Sequence, residues 1–111
     1  MSIIHNIEIQ SPELEASIVE PILTICITGL SFFEISLKMQ TMMTLPFTSI
    51  KRYLFYLIDY EVIAYNGQKR TFKTTDEGHD LLNMIDKEKT QENTDINDIT
   101  ITFECEQIQK S

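Results

Sequence analysis

Six cations concentrate the chemistry of this chain: Lys38, Lys51, Arg52, Lys69, Arg70 and Lys73. Within residues 38–73 only Asp59 and Glu61 oppose them, for a local net charge of +4. Residues 1–37 carry five acids and no Lys or Arg, and residues 74–111 carry ten acids against three bases. The whole-chain charge of −8 argues against nucleic acid, because binding a phosphate backbone needs cations. Screening, however, limits the reach of an exposed charge to about 8–10 Å. The field at a contact is therefore set by the segment that makes it. For any one cation, a solvated surface position explains its presence equally well. Their coincidence on one helix and one hairpin is what argues for a binding surface.

The patterns that carry catalysis are missing. The sequence has no GxSxG, no HExxH and no Gly-rich phosphate loop, and Gly totals three. His79 is next to Asp80 on an expected helix, where adjacent side chains diverge by about 100° and cannot form a dyad. His5 has no second ligand at metal spacing and reads as a strand histidine. Cys26 and Cys105 form no CxxC or Cys/His cluster, so they read as reduced thiols, at least one of them packed in a core. We expect no enzyme, no cofactor and no metal.

At 111 residues the chain is long enough for one core and too short for two. A hydrophobic content of 42% with 23% charged residues fits a globular protein. No apolar run approaches the roughly 18–20 residues that cross a bilayer. The first residues lack the basic-then-apolar order of an export signal. A cytoplasmic protein without a membrane partner is expected.

The elements that must position the cations follow from periodicity. Residues 2–10 alternate with period two, a strand signal. Ser11-Pro12-Glu13 has the order of a helix start, and Leu14, Ile18, Ile22, Ile25 and Cys26 continue one face. Pro21 should kink or split that helix, and Gly29 should end it. Ser31 and Glu34 form a capping box, with Leu30 and Ile35 placed as a hydrophobic staple. The second helix should end between residues 40 and 43, with Ile35, Met39 and Met42 or Met43 inward. A third helix is expected over about 46–60, burying Ile50, Leu54, Leu57 and Ile58. Strands at 62–65 and 71–74 should meet at Asn66-Gly67, a dipeptide suited to the positive φ of tight hairpins. Thr75 should cap a fourth helix, with Asp76 and Glu77 at its positive end and Leu81, Leu82 and Ile85 as its apolar face.

Residues after 89 turn polar, then alternate again over about 99–106. The chain thus divides into a strand extension (1–10), a main domain (11–89) and an acidic tail with a strand (90–111). Two strands alone are marginal in water, so the terminal pair must pack on the domain or join a second subunit. We expect a dimer sheet, hence a homodimer through the terminal strands or helices.

The order of helices, hairpin and helix resembles the winged helix-turn-helix fold. Lys51-Arg52-Tyr53-Leu54 with Leu57-Ile58, then Val62-Ile63, then Phe72 and Thr75-Asp76-Glu77-Gly78 with Leu81-Leu82, is similar to the pattern of small archaeal transcriptional regulators of that class. The resemblance covers about residues 14–88. Three positions depart from it: Glu61 stands where those proteins usually have glycine after the third helix, Thr74 where an apolar residue precedes the capping Thr, and Pro46 where a Ser or Thr opens the third helix.

The resemblance implies an α+β winged helix: a three-helix core, a β-hairpin wing and a C-terminal helix, here with extra strands at both termini. It further implies a sequence-specific regulator of double-stranded DNA, with the third helix in the major groove and the wing (about 62–74) on the backbone. Thr48, Ser49, Lys51 and Arg52 would then meet the groove, Arg52 pairing with guanine and Lys51 with phosphate. Gln68, Lys69, Arg70 and Lys73 would hold the wing to the backbone, and Lys38 would touch it from the second helix. Phe55 and Tyr56, outward by helical phase, are expected to pack on the wing or a dimer partner. The competing expectation is an acidic winged helix used for protein–protein contact without DNA.

Overall fold

The computed structural model describes residues 12–103. In chain order these form β1 (Glu13–Glu15), α1 (Ala16–Ile25), α2 (Phe32–Met42), α3 (Phe47–Asp59), β2 (Ile63–Asn66), β3 (Thr71–Thr74), α4 (Asp76–Thr90) and β4 (Thr100–Thr102). The fold is α+β. The strand expected over residues 2–10 lies outside the described residues.

Helix α1 forms the centre, burying Ala16, Val19, Ile22 and Leu23, with Cys26 directly after it. This face differs in phase from the expected one: Ile18 and Ile25 are only half-buried. Pro21 lies inside α1 without splitting it; the ring removes one amide donor and leaves the Ser17 carbonyl without its usual partner. A 3₁₀ turn at Cys26–Thr28 and Gly29, at φ 89°, end the helix. Burial pushes the Cys26 thiol up to about 12, which keeps it un-ionised and inert.

The expected helix start at Ser11-Pro12-Glu13 is corrected. Glu13–Glu15 is a strand, antiparallel to β4, with Leu14 opposite Ile101. Both segments alternate exposed, buried, exposed. Their inward residues thus reach the core by pairing with each other, a contact that local helix-start chemistry does not encode. The ladder continues where the Ala16 amide donates to the Ile99 carbonyl. The Glu15 amide also donates to the Tyr53 hydroxyl at 3.0 Å, tying β1 to α3. The C-terminal strand is therefore paired within the chain.

The capping box of α2 forms with both its bonds, Glu34 N–H to Ser31 Oγ and Ser31 N–H to Glu34 Oε1. Leu30 and Ile35 join the same core cluster, as do Met39 and Met43, while Met42 is exposed. Residues 43–46 connect α2 to α3, closed by the Gln40 side chain donating to the Leu45 carbonyl. Pro46 is the N-cap of α3, its carbonyl accepting from the Ser49 and Ile50 amides. The helix buries Ile50, Tyr53, Leu54 and Leu57.

At the far end of α3, Val62 N–H bonds to the Leu57 carbonyl and Glu61 N–H to that of Ile58. This is a Schellman ending, whose C′ residue must adopt the left-handed conformation. Glu61 does so, at φ 65°. It therefore takes the backbone role of the glycine it replaces.

Strands β2 and β3 pair antiparallel from Ile63↔Thr74 to Asn66↔Thr71. Leu30 exchanges two backbone bonds with Phe72, adding a third short element to this sheet. The positive backbone angles expected at Asn66-Gly67 are corrected. The loop spans residues 67–70, and the positive φ falls on Arg70 (56°). The physical reason is the Asn66 side chain, whose Oδ1 accepts from the Gln68 and Lys69 amides and folds the loop around itself.

Thr74 is buried, and its hydroxyl donates to the Leu23 carbonyl at 2.6 Å. That carbonyl belongs to the last turn of α1, where acceptors lack helical donors. A hydroxyl in place of the usual apolar residue thereby satisfies it. Thr75 caps α4 through Gly78 N–H. Lys89 of α4 pairs with Glu20 of α1 at 2.8 Å. The hydrogen bond to that carboxylate, then its charge, raises the Lys89 pKa. Stability from a raised lysine pKa is complete below the ordinary lysine range and lost only as pH climbs through the raised value, so this pair is intact at neutral pH.

Candidate nucleic-acid interface

The burial pattern of α3 defines its free face. Thr48, Lys51, Arg52, Phe55 and Asp59 are exposed, at the spacing that stacks side chains along one stripe. Of the expected groove residues, Thr48, Lys51 and Arg52 therefore share one side. Ser49 is half-buried beside them, its amide held by Pro46.

The wing supplies the second group. Gln68, Lys69, Arg70 and Lys73 are all exposed. The Asn66 carboxamide fixes the backbone under Gln68 and Lys69, so these side chains project from an ordered loop. Lys73 stands opposite Ala64 in the ladder. Lys38 is exposed on α2.

Among the described residues the ion pair that forms is Lys89–Glu20, and none of the six cations of residues 38–73 takes part in one. No carboxylate of the described residues is in ion-pair contact with them. The acidic tail approaches α3 at its C-terminal end, where the Phe103 ring stacks on Tyr60 with centroids 4.3 Å apart. From Lys51 and Arg52 to Tyr60 is about 12–13 Å along a helix rising about 1.5 Å per residue. The described part of the tail thus meets α3 two turns or more beyond its cations. Asp98 is exposed before β4, and Glu104 and Glu106 lie outside the described residues.

Sequence reasoning missed an aromatic groove next to this face. Phe32, Phe33, Phe55, Tyr65, Arg70 and Phe72 line it. Phe55 is exposed, as expected, and joins wing residues there; Tyr56 is half-buried and packed against the core. The visible signal was the Phe32-Phe33 pair directly after the Ser31 cap, which places one ring inward and the next outward. A second groove, between α4 and β4, is lined by Leu81, Met84 and Phe103 but rimmed by Glu77, Asp80 and Glu88. Its sign is wrong for phosphate.

Among the described residues no group of three or more His, Cys, Asp or Glu could hold a metal ion, and no helix is long and apolar enough to cross a membrane.

Three helices, a helix–turn–helix connection of four residues and a two-stranded wing define a winged helix-turn-helix. A model of the family described as winged helix-turn-helix matches residues 15–93, and the chain belongs to that family. No curated protein and no solved structure matches the chain.

Proposed function

We propose that the chain is a sequence-specific regulator of transcription that binds double-stranded DNA, with α3 in the major groove and the wing on the flanking backbone. The observation that carries this reading is the exposed stripe Thr48, Lys51, Arg52 on α3, without an ion-pair partner among the described residues and flanked by the cationic wing. Arg52 is assigned the base contact, since its planar fork matches the guanine edge. Lys51, Lys69, Arg70 and Lys73 are assigned to phosphates, Thr48, Ser49 and Gln68 to supporting polar contacts, and Lys38 to the backbone beside the groove. These roles are positional and need no catalytic group, and on this reading the protein acts in the cytoplasm, where it meets DNA.

Selection of a duplex from a random pool, followed by salt-titrated binding, tests the reading. Arg52→Ala should weaken the selected duplex and relax preference at one position, whereas Lys69→Ala should weaken all duplexes alike. If no duplex is retained at low salt, the regulator reading fails.

The acid-rimmed apolar groove between α4 and β4 favours a second role for the same chain, contact with a protein. A homodimer is the simplest such contact and would present the α3 face twice. Sedimentation of wild type against Met84→Asp checks it, because a charge on that exposed residue should dissociate a dimer built there.

A further inference from the structure

The groove between α2, α3 and the wing has the chemistry of a stacking platform. Phe33, Phe55 and Tyr65 are 69%, 61% and 48% exposed, an unusual outlay of ring surface for one small face of an acidic protein. Tyr65 and Phe72 hold each other with centroids 4.8 Å apart, inclined at 50°. Tyr65 and Phe72 are therefore held by the β2–β3 register, while Phe33 stands in the first turn of α2 and Phe55 on α3. The groove is open and has a volume of about 570 Å³, within the roughly 300–1,000 Å³ of small-molecule sites.

Its charge identifies the occupant. Arg70 is the charged residue of the lining. Lys51 and Arg52 precede Phe55 by one turn on the same stripe, and Lys69 adjoins Arg70 in the wing. Of the nearby acids, Glu34 has its carboxylate engaged at the Ser31 amide, and Asp59 lies one turn beyond Phe55. Rings alternating with cations are the surface that nucleic-acid bases and phosphates fit together, because every base has a face to stack and every phosphate a charge to neutralise. Bases inside a duplex hide their faces. Only an unpaired base can use the platform.

We propose that this groove takes an unpaired base of DNA, so that the protein prefers duplexes carrying a bulged or melted nucleotide next to the α3 contact. Phe33 and Phe55 stack on the base, and Arg70 holds its phosphate. The proposal rests on the DNA-binding reading above and adds the class of DNA.

The test uses the full chain and three probes at one low salt concentration: a duplex, the same duplex with one bulged 2-aminopurine, and the single strand containing it. Wild type should bind the bulged duplex about tenfold more tightly than the perfect one and quench the 2-aminopurine. Phe33→Leu and Phe55→Leu keep apolar bulk but lose the ring; both should abolish the preference and the quenching while leaving perfect-duplex affinity within about twofold. Circular dichroism of the variants confirms folding, which exposed positions should not disturb. Equal binding of perfect and bulged duplexes by wild type, or a preference that survives both substitutions, overturns the proposal and leaves duplex binding standing. Failure of all three probes to bind overturns both. Loss of a wild-type dimer on Phe55→Leu, with the bulge preference unchanged, would assign the groove to a second copy of this chain instead.

Discussion

At Gly78, in the first turn of α4, the place of a side chain is already taken. A Cβ there would overlap the Val62 carbonyl oxygen and lie 2.6 Å from Thr74 Cγ2. The helix can lie so close to the chain after α3 only because this residue has none. Gly78→Ala should therefore cost about 2–3 kcal/mol, as overpacking does, and lower the thermal midpoint by roughly 10 °C or more. Glu61 presents the opposite case. Its left-handed backbone costs a residue with a Cβ about 1–2 kcal/mol, while glycine would cost about 0.4–1 kcal/mol in unfolded-chain entropy. Glu61→Gly is thus expected to raise stability by up to about 1 kcal/mol in a urea titration. The departure from the family pattern was legible in sequence; that the backbone still takes the glycine's conformation was not.

Among elements, α2 and α4 were the most legible because their starts are written in adjacent residues. Ser31 and Glu34 bond reciprocally, and Thr75 bonds Gly78, without help from distant chain. Ser31→Ala should cost about 1 kcal/mol with no change in denaturant m-value, since the buried surface is unchanged. The wing turn was misread because Asn66-Gly67 was weighed as a backbone signal. The Asn66 side chain instead captures two loop amides, so the loop closes over four residues and Arg70 takes the positive φ. Strand β1 was misread for a different reason. A Pro-Glu pair before an apolar run suits a helix start, but Leu14 gains more by pairing across from Ile101, a partner near the other end of the described chain.

For the whole molecule, the placement of β4 changes what can be removed. Ile99 and Ile101 belong to the core, so deleting residues 90–111 should destabilise the domain and yield a sloping or lowered urea transition. Stopping after Phe103 instead keeps every described core residue. That truncation is the proper form in which to ask whether the acidic tail opposes DNA. If Lys51, Lys69, Arg70 and Lys73 each neutralise a phosphate, affinity should fall with salt at a log–log slope of about −3.6. Lys69→Ala should reduce that slope by about 0.9, and a slope near zero would remove the backbone contacts from the account.

By itself the sequence determined the local chemistry: the caps of α2 and α4, the amphipathic face of α3, and the sign of the charge carried by each third of the chain. These depend on residues a few positions apart, within reach of one another in any helix or turn. Only the tertiary structure decided which strands pair and that the six cations lack acidic partners among the described residues. It alone brought Phe33, Phe55 and Tyr65 together from three elements. Such contacts join residues far apart in sequence, and their partners are chosen by burial of the whole core rather than by any local signal.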